Sequence, residues 1–159
     1  MSDKNKNSQS RLGLWNKWYE KVSQKVVYHD PTTAKLAASF INQDNIFIVE
    51  DWGCGLGGFE NYIGEHQTYI GLDGSNTQFA SKIVDLEYFT SSVDAVHMRH
   101  VIEHNIAWQA VLENALFSFN KRMALTLFTP YGVTCGMGRK TTLSFWPSIF
   151  SCQYNVFPT

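Results

Sequence analysis

The sequence predicts an α/β protein built on a doubly wound, mostly parallel sheet with helices on both faces. Two observations predict it. From residue 45 onward short apolar runs alternate with stretches of helical periodicity, and the first of those runs leads directly into a glycine-rich turn. Runs that are apolar at successive positions and rich in β-branched residues are what strands covered on both faces require. The chain has 159 residues, 44% hydrophobic and 17% charged, which suits one domain with a substantial core.

The elements follow in order. Residues 1–10 (MSDKNKNSQS) are polar and are expected to be disordered. A single domain is expected over 11–159, with N-terminal helices at 11–44, a core at 45–130 and a tail at 131–159. Leu12, Leu14, Trp15, Trp18, Tyr19 and Val22 recur at three- and four-residue spacing, the stripe of an amphipathic helix that could close over a ligand. Asp30 is placed to cap a second helix and Pro31 to occupy its first turn, where a missing N–H leaves no bond unmade. Leu36, Ala37, Phe40 and Ile41 supply its expected buried face. Strands are expected at 46–49, 69–72, 83–84, 95–98 and 123–128, and the intervening helices at 58–64, 76–81 and 105–119. Trp108, Val111, Leu112, Ala115, Leu116 and Phe119 form the inward face expected of the last helix. Ligands of such sheets bind beyond the carboxyl ends of the strands, where the strand order reverses.

Composition excludes several classes of function. A net charge of −1 offers no general attraction to nucleic acid or to an anionic membrane, so neither is an expected partner. Cys54, Cys135 and Cys152 are scattered, with no CxxC pair, which points to a reducing, cytoplasmic setting. The polar start lacks the apolar core of a leader, and no apolar run approaches the roughly 20 residues of a membrane helix.

The most specific feature is Asp51-Trp52-Gly53-Cys54-Gly55-Leu56-Gly57-Gly58, between the first strand and a helical stretch. Glycines at such a turn permit positive φ and let a ligand approach main-chain atoms that a β-carbon would shield. Gly53, Gly55 and Gly58 read as GxGxxG, a dinucleotide fingerprint, with Asp73 spaced to bind a ribose. Asp51, Gly53, Gly55 and Gly57 read as DxGxGxG, and glycine spacing does not decide between the two. The carboxylate does, because Asp51 would face a pyrophosphate with like charge, whereas a ligand carrying an amine suits it. An oxidoreductase using NAD is the alternative this leaves.

This motif resembles the first motif of the class I S-adenosylmethionine-dependent methyltransferases, acid-x-Gly-x-Gly-x-Gly. The resemblance covers residues 46–130 and continues through Tyr69-Ile70-Gly71-Leu72-Asp73-Gly74-Ser75, Asp85-Leu86, Val93-Asp94-Ala95-Val96 with Val101-Ile102-Glu103-His104, and Leu127-Phe128-Thr129-Pro130. It implies a Rossmann-like sheet with S-adenosylmethionine as cofactor. Gly53, Cys54, Gly55 and Gly57 would cradle the methionine moiety, with Asp51 near its amino group. Asp73, beside Gly74, would hold the ribose hydroxyls, Asp85 would take the adenine amino group, and the backbone of Leu86 would meet the ring. The family sheet closes with a hairpin after its fifth strand. The residues after Pro130 do not resemble it, so a sheet truncated after the fifth strand, its hairpin lost or altered, is expected.

Arg99 and His100 fall at the carboxyl end of the fourth strand, from which a methyl acceptor is approached in this family. His100 could take a proton from a hydroxyl or amine and Arg99 could hold an anionic group, although methyl transfer can also proceed by positioning alone. The acceptor implied is a small molecule, a sugar or a peptide. A degenerate, non-catalytic module whose tail recruits a partner is a further alternative. His100-Val101-Ile102-Glu103-His104 also spells the HxxEH of inverted zinc proteases. No acid follows Glu113 to complete a metal site, so no metal is expected.

Overall fold

A computed structural model of the protein describes residues 15–27, 31–43 and 45–127, together with the backbone of 148–153. A helical turn, α1 (15–19), precedes α2 (Thr32–Ile41). There follow β1 (Ile48–Trp52), β2 (Thr68–Asp73), β3 (Lys82–Ile83), β4 (Val93–Arg99), α3 (Trp108–Ser118), β5 (Phe119–Leu127) and β6 (Ser148–Gln153). The sheet order is β3-β2-β1-β4-β5-β6. The first five strands pair in parallel and β6 pairs antiparallel with β5. Order reverses between β1 and β4, which sets the crevice at their carboxyl ends. Among the described residues one antiparallel strand, β6, lies against β5 where the hairpin was expected to be lost or altered.

Strands β1, β4 and β5 divide their side chains between two cores. On the α3 side, Trp52, Leu72, Val96, Met98 and Met123 pack with Val111 and Ala115. On the α2 side, Val49, Ala95 and Ala124 meet Ala34, Ala37, Ala38 and Ile41. Alanines on both surfaces let α2 lie close to the sheet. That closeness corrects the face expected of α2. Leu36 is 54% exposed and Phe40 is half-buried, its ring beneath the Arg122 guanidinium at 4.6 Å, while Thr33, Ala34 and Ala38 go inside. Pro31 stands at the N-cap and its carbonyl accepts from Lys35 N at 3.0 Å. Asp30, Leu12 and Leu14 lie outside the described residues.

Three expected helices also differ. After the glycine loop there is only a 3-10 turn, Gly58–Tyr62. Gly58 abuts backbone there, as an ideal β-carbon would lie 2.1 Å from the carbonyl carbon of Val26. Residues 76–81 form a turn, with Ser81 N donating to the Gly71 carbonyl at 2.7 Å. The helix expected at 105–119 is α3, bounded by a 3-10 turn at Ile102–His104 before it and by β5 at Phe119 after it. Val111, Ala115 and Ser118 face inward on α3, leaving Trp108 and Leu116 exposed.

Asp94 ties the start of β1 to β4. Its Oδ2 accepts from Phe47 N at 2.8 Å and Ile48 N at 3.2 Å, and its Oδ1 lies 2.9 Å from Lys121 Nζ. Burial raises the Asp94 carboxyl, but the Lys121 contact and the two backbone donors outweigh it and leave the pKa below the ordinary value. Among the described residues no helix is long and apolar enough to cross a membrane.

Candidate functional site

A cleft of about 890 Å³ opens over the carboxyl ends of β1, β2 and β4, within the size range of small-molecule sites. Asp51, Gly53, Cys54 and Gly55 reach it from the end of β1, Asp73, Gly74 and Ser75 from β2, and Asp85 and Leu86 from beyond β3. Arg99 and His100 border it from β4, and Trp15, Trp18 and Tyr19 form a wall from α1. Of the residues expected to bind the cofactor or to act in catalysis, Gly57 is the one absent from the lining. It turns the chain instead, at φ +65° and ψ +14° ahead of the 3-10 segment, and bridges to Val26.

Gly53 and Gly55 also sit at positive φ, +72° and +53°. The conformation is enforced at Gly53, where a β-carbon would meet Val101 Cγ2 at 2.4 Å. The amides of Gly53 and Cys54 both donate to the Leu72 carbonyl, at 2.7 and 2.9 Å, stitching the loop to β2. Thr77 Oγ1 donates to the Gly55 carbonyl at 2.6 Å from the far side.

Two buried carboxylates stand beneath this loop. Asp73 accepts from Ser75 N at 2.7 Å and from Gly55 N at 2.9 Å. Burial nevertheless raises its pKa, and the charge of Asp51 adds to the rise, against the lowering effect of those backbone donors. Asp51 accepts from the Tyr69 hydroxyl at 2.8 Å and from His97 Nδ1 at 2.7 Å. Burial also drives the Tyr69 hydroxyl upward, with Asp51 reinforcing it, so Tyr69 stays a donor. The Cys54 thiol is raised by burial and then by Asp51 and Asp73, which keeps it protonated and a poor nucleophile.

At β4 the two catalytic candidates are held differently. Arg99 Nε donates to Thr33 Oγ1 at 2.9 Å, which ties it to the first turn of α2. His100 adopts φ +57°, a left-handed conformation that costs a non-glycine residue about 1–2 kcal/mol, and its amide donates to the Thr126 carbonyl at 3.0 Å. Asp85 closes a turn by accepting from Glu87 N at 3.0 Å, and the Leu86 carbonyl accepts from Asn114 of α3 at 3.0 Å. The HxxEH residues do not share one helical face. His100 precedes the 3-10 turn, its Nδ1 3.8 Å from Glu103, while His104 meets the Trp15 ring edge-on at 5.3 Å. Among the described residues no three His, Cys, Asp or Glu side chains are grouped to hold a metal.

His97 and Tyr69 were not singled out in the sequence, because each sits inside an apolar run that reads as strand core. A signal existed for His97. It is the lone ionisable residue of the run Ala95 to Met98, which is where a buried polar group needs a buried partner.

No protein-family model matches the chain, and a search of curated proteins finds no match. Solved structures do match. The N-terminal domain of EvdMO1, in the presence of SAH and D-fucose, aligns at TM-score 0.58 and 16% identity over 87% of this chain and 70% of that one. Magnesium protoporphyrin IX methyltransferase (ChlM) from Synechocystis PCC 6803, with bound SAM, aligns at TM-score 0.54 and 15% identity over 76% and 77%. The chain shares the Rossmann-like fold of these two structures. The [4+2]-cyclase SpnF shares it too, at TM-score 0.56 and 13% identity over 80% of this chain and 62% of that one. The chain spans about half the length of the first solved structures it matches.

Proposed function

We propose that the protein is an S-adenosylmethionine-dependent methyltransferase acting on a small molecule, a sugar or a peptide. One observation carries this reading: two buried carboxylates, Asp51 and Asp73, lie under a loop of left-handed glycines in a cleft of cofactor size. Burial of Asp73, reinforced by the charge of Asp51, favours a ligand that brings positive charge and hydroxyl donors rather than phosphates. The turn after the loop supports the same choice. Five residues of 3-10 helix at Gly58–Tyr62 offer little of the aligned dipole that steadies a pyrophosphate in NAD enzymes.

In this reading Gly53, Cys54 and Gly55 take the methionine moiety and Asp73 accepts from the ribose hydroxyls. Asp85 and Leu86 take the adenine. When bound, S-adenosylmethionine supplies a methyl group on a sulfonium, a leaving group that asks little of the protein beyond orientation and exclusion of water. Trp15, Trp18 and Tyr19 exclude that water from one side, and Arg99 and His100 border the position of the acceptor. EvdMO1 and ChlM, whose structures hold SAH or SAM, support the cofactor.

Calorimetric titration with S-adenosylhomocysteine, with NAD and zinc in parallel, tests the proposal. The expected outcome is saturable binding of S-adenosylhomocysteine alone, weakened at least tenfold by Asp73→Ala. A folded chain that binds NAD and not S-adenosylhomocysteine would replace this reading with the oxidoreductase.

A further inference from the structure

Asp51 and His97 are register partners on the adjacent strands β1 and β4, and both are buried. Each carboxylate oxygen of Asp51 already accepts a hydrogen bond within the protein, one from Tyr69 and one from His97 Nδ1. Asp51 therefore has little left to offer a ligand directly. A carboxylate only accepts, so the hydrogen of the imidazole sits on Nδ1 and the lone pair on Nε2. The ring cannot turn that lone pair away without breaking its bond to Asp51. It lies flat on Phe59, with centroids 3.6 Å apart and planes 10° apart. His97 is 1% exposed, it lines the cleft, and its Nε2 has no hydrogen-bond partner among the described residues. A buried acceptor left unsatisfied is unfavourable, and a ligand donor removes the penalty.

We propose that His97 is a ligand-binding residue whose Nε2 accepts a hydrogen bond from the ammonium group of the cofactor's methionine tail, with Asp51 as the positioning residue behind it. The inference rests on the S-adenosylmethionine reading of the cleft. A cationic donor is favoured over a neutral hydroxyl because the Asp51 carboxylate stands directly behind the ring, and its charge reaches the ligand through the imidazole. The arrangement gives the motif acid a role it performs at one remove.

The test uses S-adenosylhomocysteine, which carries the ammonium, and 5′-methylthioadenosine, which lacks the amino acid tail. His97→Phe keeps a ring on Phe59 and removes the acceptor. It is expected to weaken S-adenosylhomocysteine about tenfold to a hundredfold and to leave 5′-methylthioadenosine unchanged. Equal weakening of both ligands would show that His97 only supports the loop, and unchanged affinity for both would show that it is not a contact. Either result overturns the inference. Wild-type protein that binds neither ligand would overturn the cofactor reading itself, and the inference with it. Should His97→Phe fail to fold, ¹⁵N-histidine spectra of the wild type serve instead. The Nε2 resonance of His97 is expected to move with S-adenosylhomocysteine and not with 5′-methylthioadenosine, and a resonance that ignores both ligands refutes the contact.

Discussion

Asp73→Asn separates what the cleft does for stability from what it does for binding. The wild-type carboxylate is only 6% exposed, and burial together with the charge of Asp51 lifts its pKa above the ordinary 3.8 despite two backbone donors. A carboxyl whose folded pKa exceeds its unfolded one binds its proton more tightly in the folded state. Its stabilisation is complete below 3.8 and is lost as pH rises through the folded pKa of Asp73. Each unit of upward shift corresponds to about 1.4 kcal/mol. Asparagine is isosteric and does not titrate, and its single oxygen can still accept from Ser75 N or Gly55 N. Urea unfolding of both proteins between about pH 4 and about pH 8 isolates the group. The stability of wild type relative to the variant is expected to fall with rising pH, by no more than about 1.4 kcal/mol per unit, and then to level off. S-adenosylhomocysteine affinity of the wild type should rise over the same window as the carboxylate forms. A stability difference independent of pH, or one that grows with pH, would refute the reasoning.

Asp94→Ala is expected to destabilise by about 1–3 kcal/mol at neutral pH, through loss of the Lys121 contact and of the acceptor for two backbone N–H groups. Because the folded pKa of Asp94 is lowered, its contribution is present above 3.8 and lost as pH falls through the folded value, so the gap between wild type and variant should close in acid. Denaturant midpoints at the two pH values check this, and an equal gap at both contradicts it. Gly58→Ala would place a β-carbon 2.1 Å from the carbonyl carbon of Val26 and 2.2 Å from Val27 N, neither of them a side chain able to swing aside. A loss of about 1–3 kcal/mol is expected, with faster proteolysis near residues 26 and 27. Wild-type stability and cleavage would show that this packing is slack.

The sheet was legible because its strands are continuous apolar runs, and Ile46 to Val49 or Ala95 to Met98 fit nothing else once glycines and helical periodicity separate them. The lining of the cleft was legible where chemistry and backbone coincide, as at Gly53, Gly55 and Asp73. The helices were less so. Periodicity ranks large apolar residues first, whereas α2 buries Ala34, Ala37 and Ala38 because the sheet facing it carries Ala95 and Ala124. Leu36 is excluded by that closeness, a property of two surfaces together. Residues 58–64 were expected to be helical from their place after the glycine loop, yet the backbone of Val26 against Gly58 leaves room for one 3-10 turn. His97 was hidden for a related reason. Strand periodicity assigns a face but not a neighbour, and only the register of β1 on β4 sets Asp51 beside it.

The shortened turn after β1 has a structural consequence for α1 and the segment that follows it. A full helix would brace the glycine loop from above, and here residues 15–27 do so instead. Asn16 Oδ1 accepts from Asn76 N at 2.7 Å, and Gln78 Nε2 donates to the Val22 carbonyl at 2.6 Å. Lys25 pairs with Glu60, and Val26 bridges to Gly57. Tyr19 stacks on Trp15 and comes so close to Gly55 that a β-carbon there would lie 3.3 Å from its hydroxyl. These contacts reach the glycine loop, the 3-10 turn and the turn after β2, and they bind the three into one wall of the cleft. The segment is therefore a fixed part of the site, more than a cover over it. Without it, Gly57 and Gly58 lose the surface that holds the turn, and the left-handed backbone at Gly55 loses the ring beside it. The glycine loop of this chain is built from both sides, by β2 through the Leu72 carbonyl and by the N-terminal segment through Val26 and Tyr19.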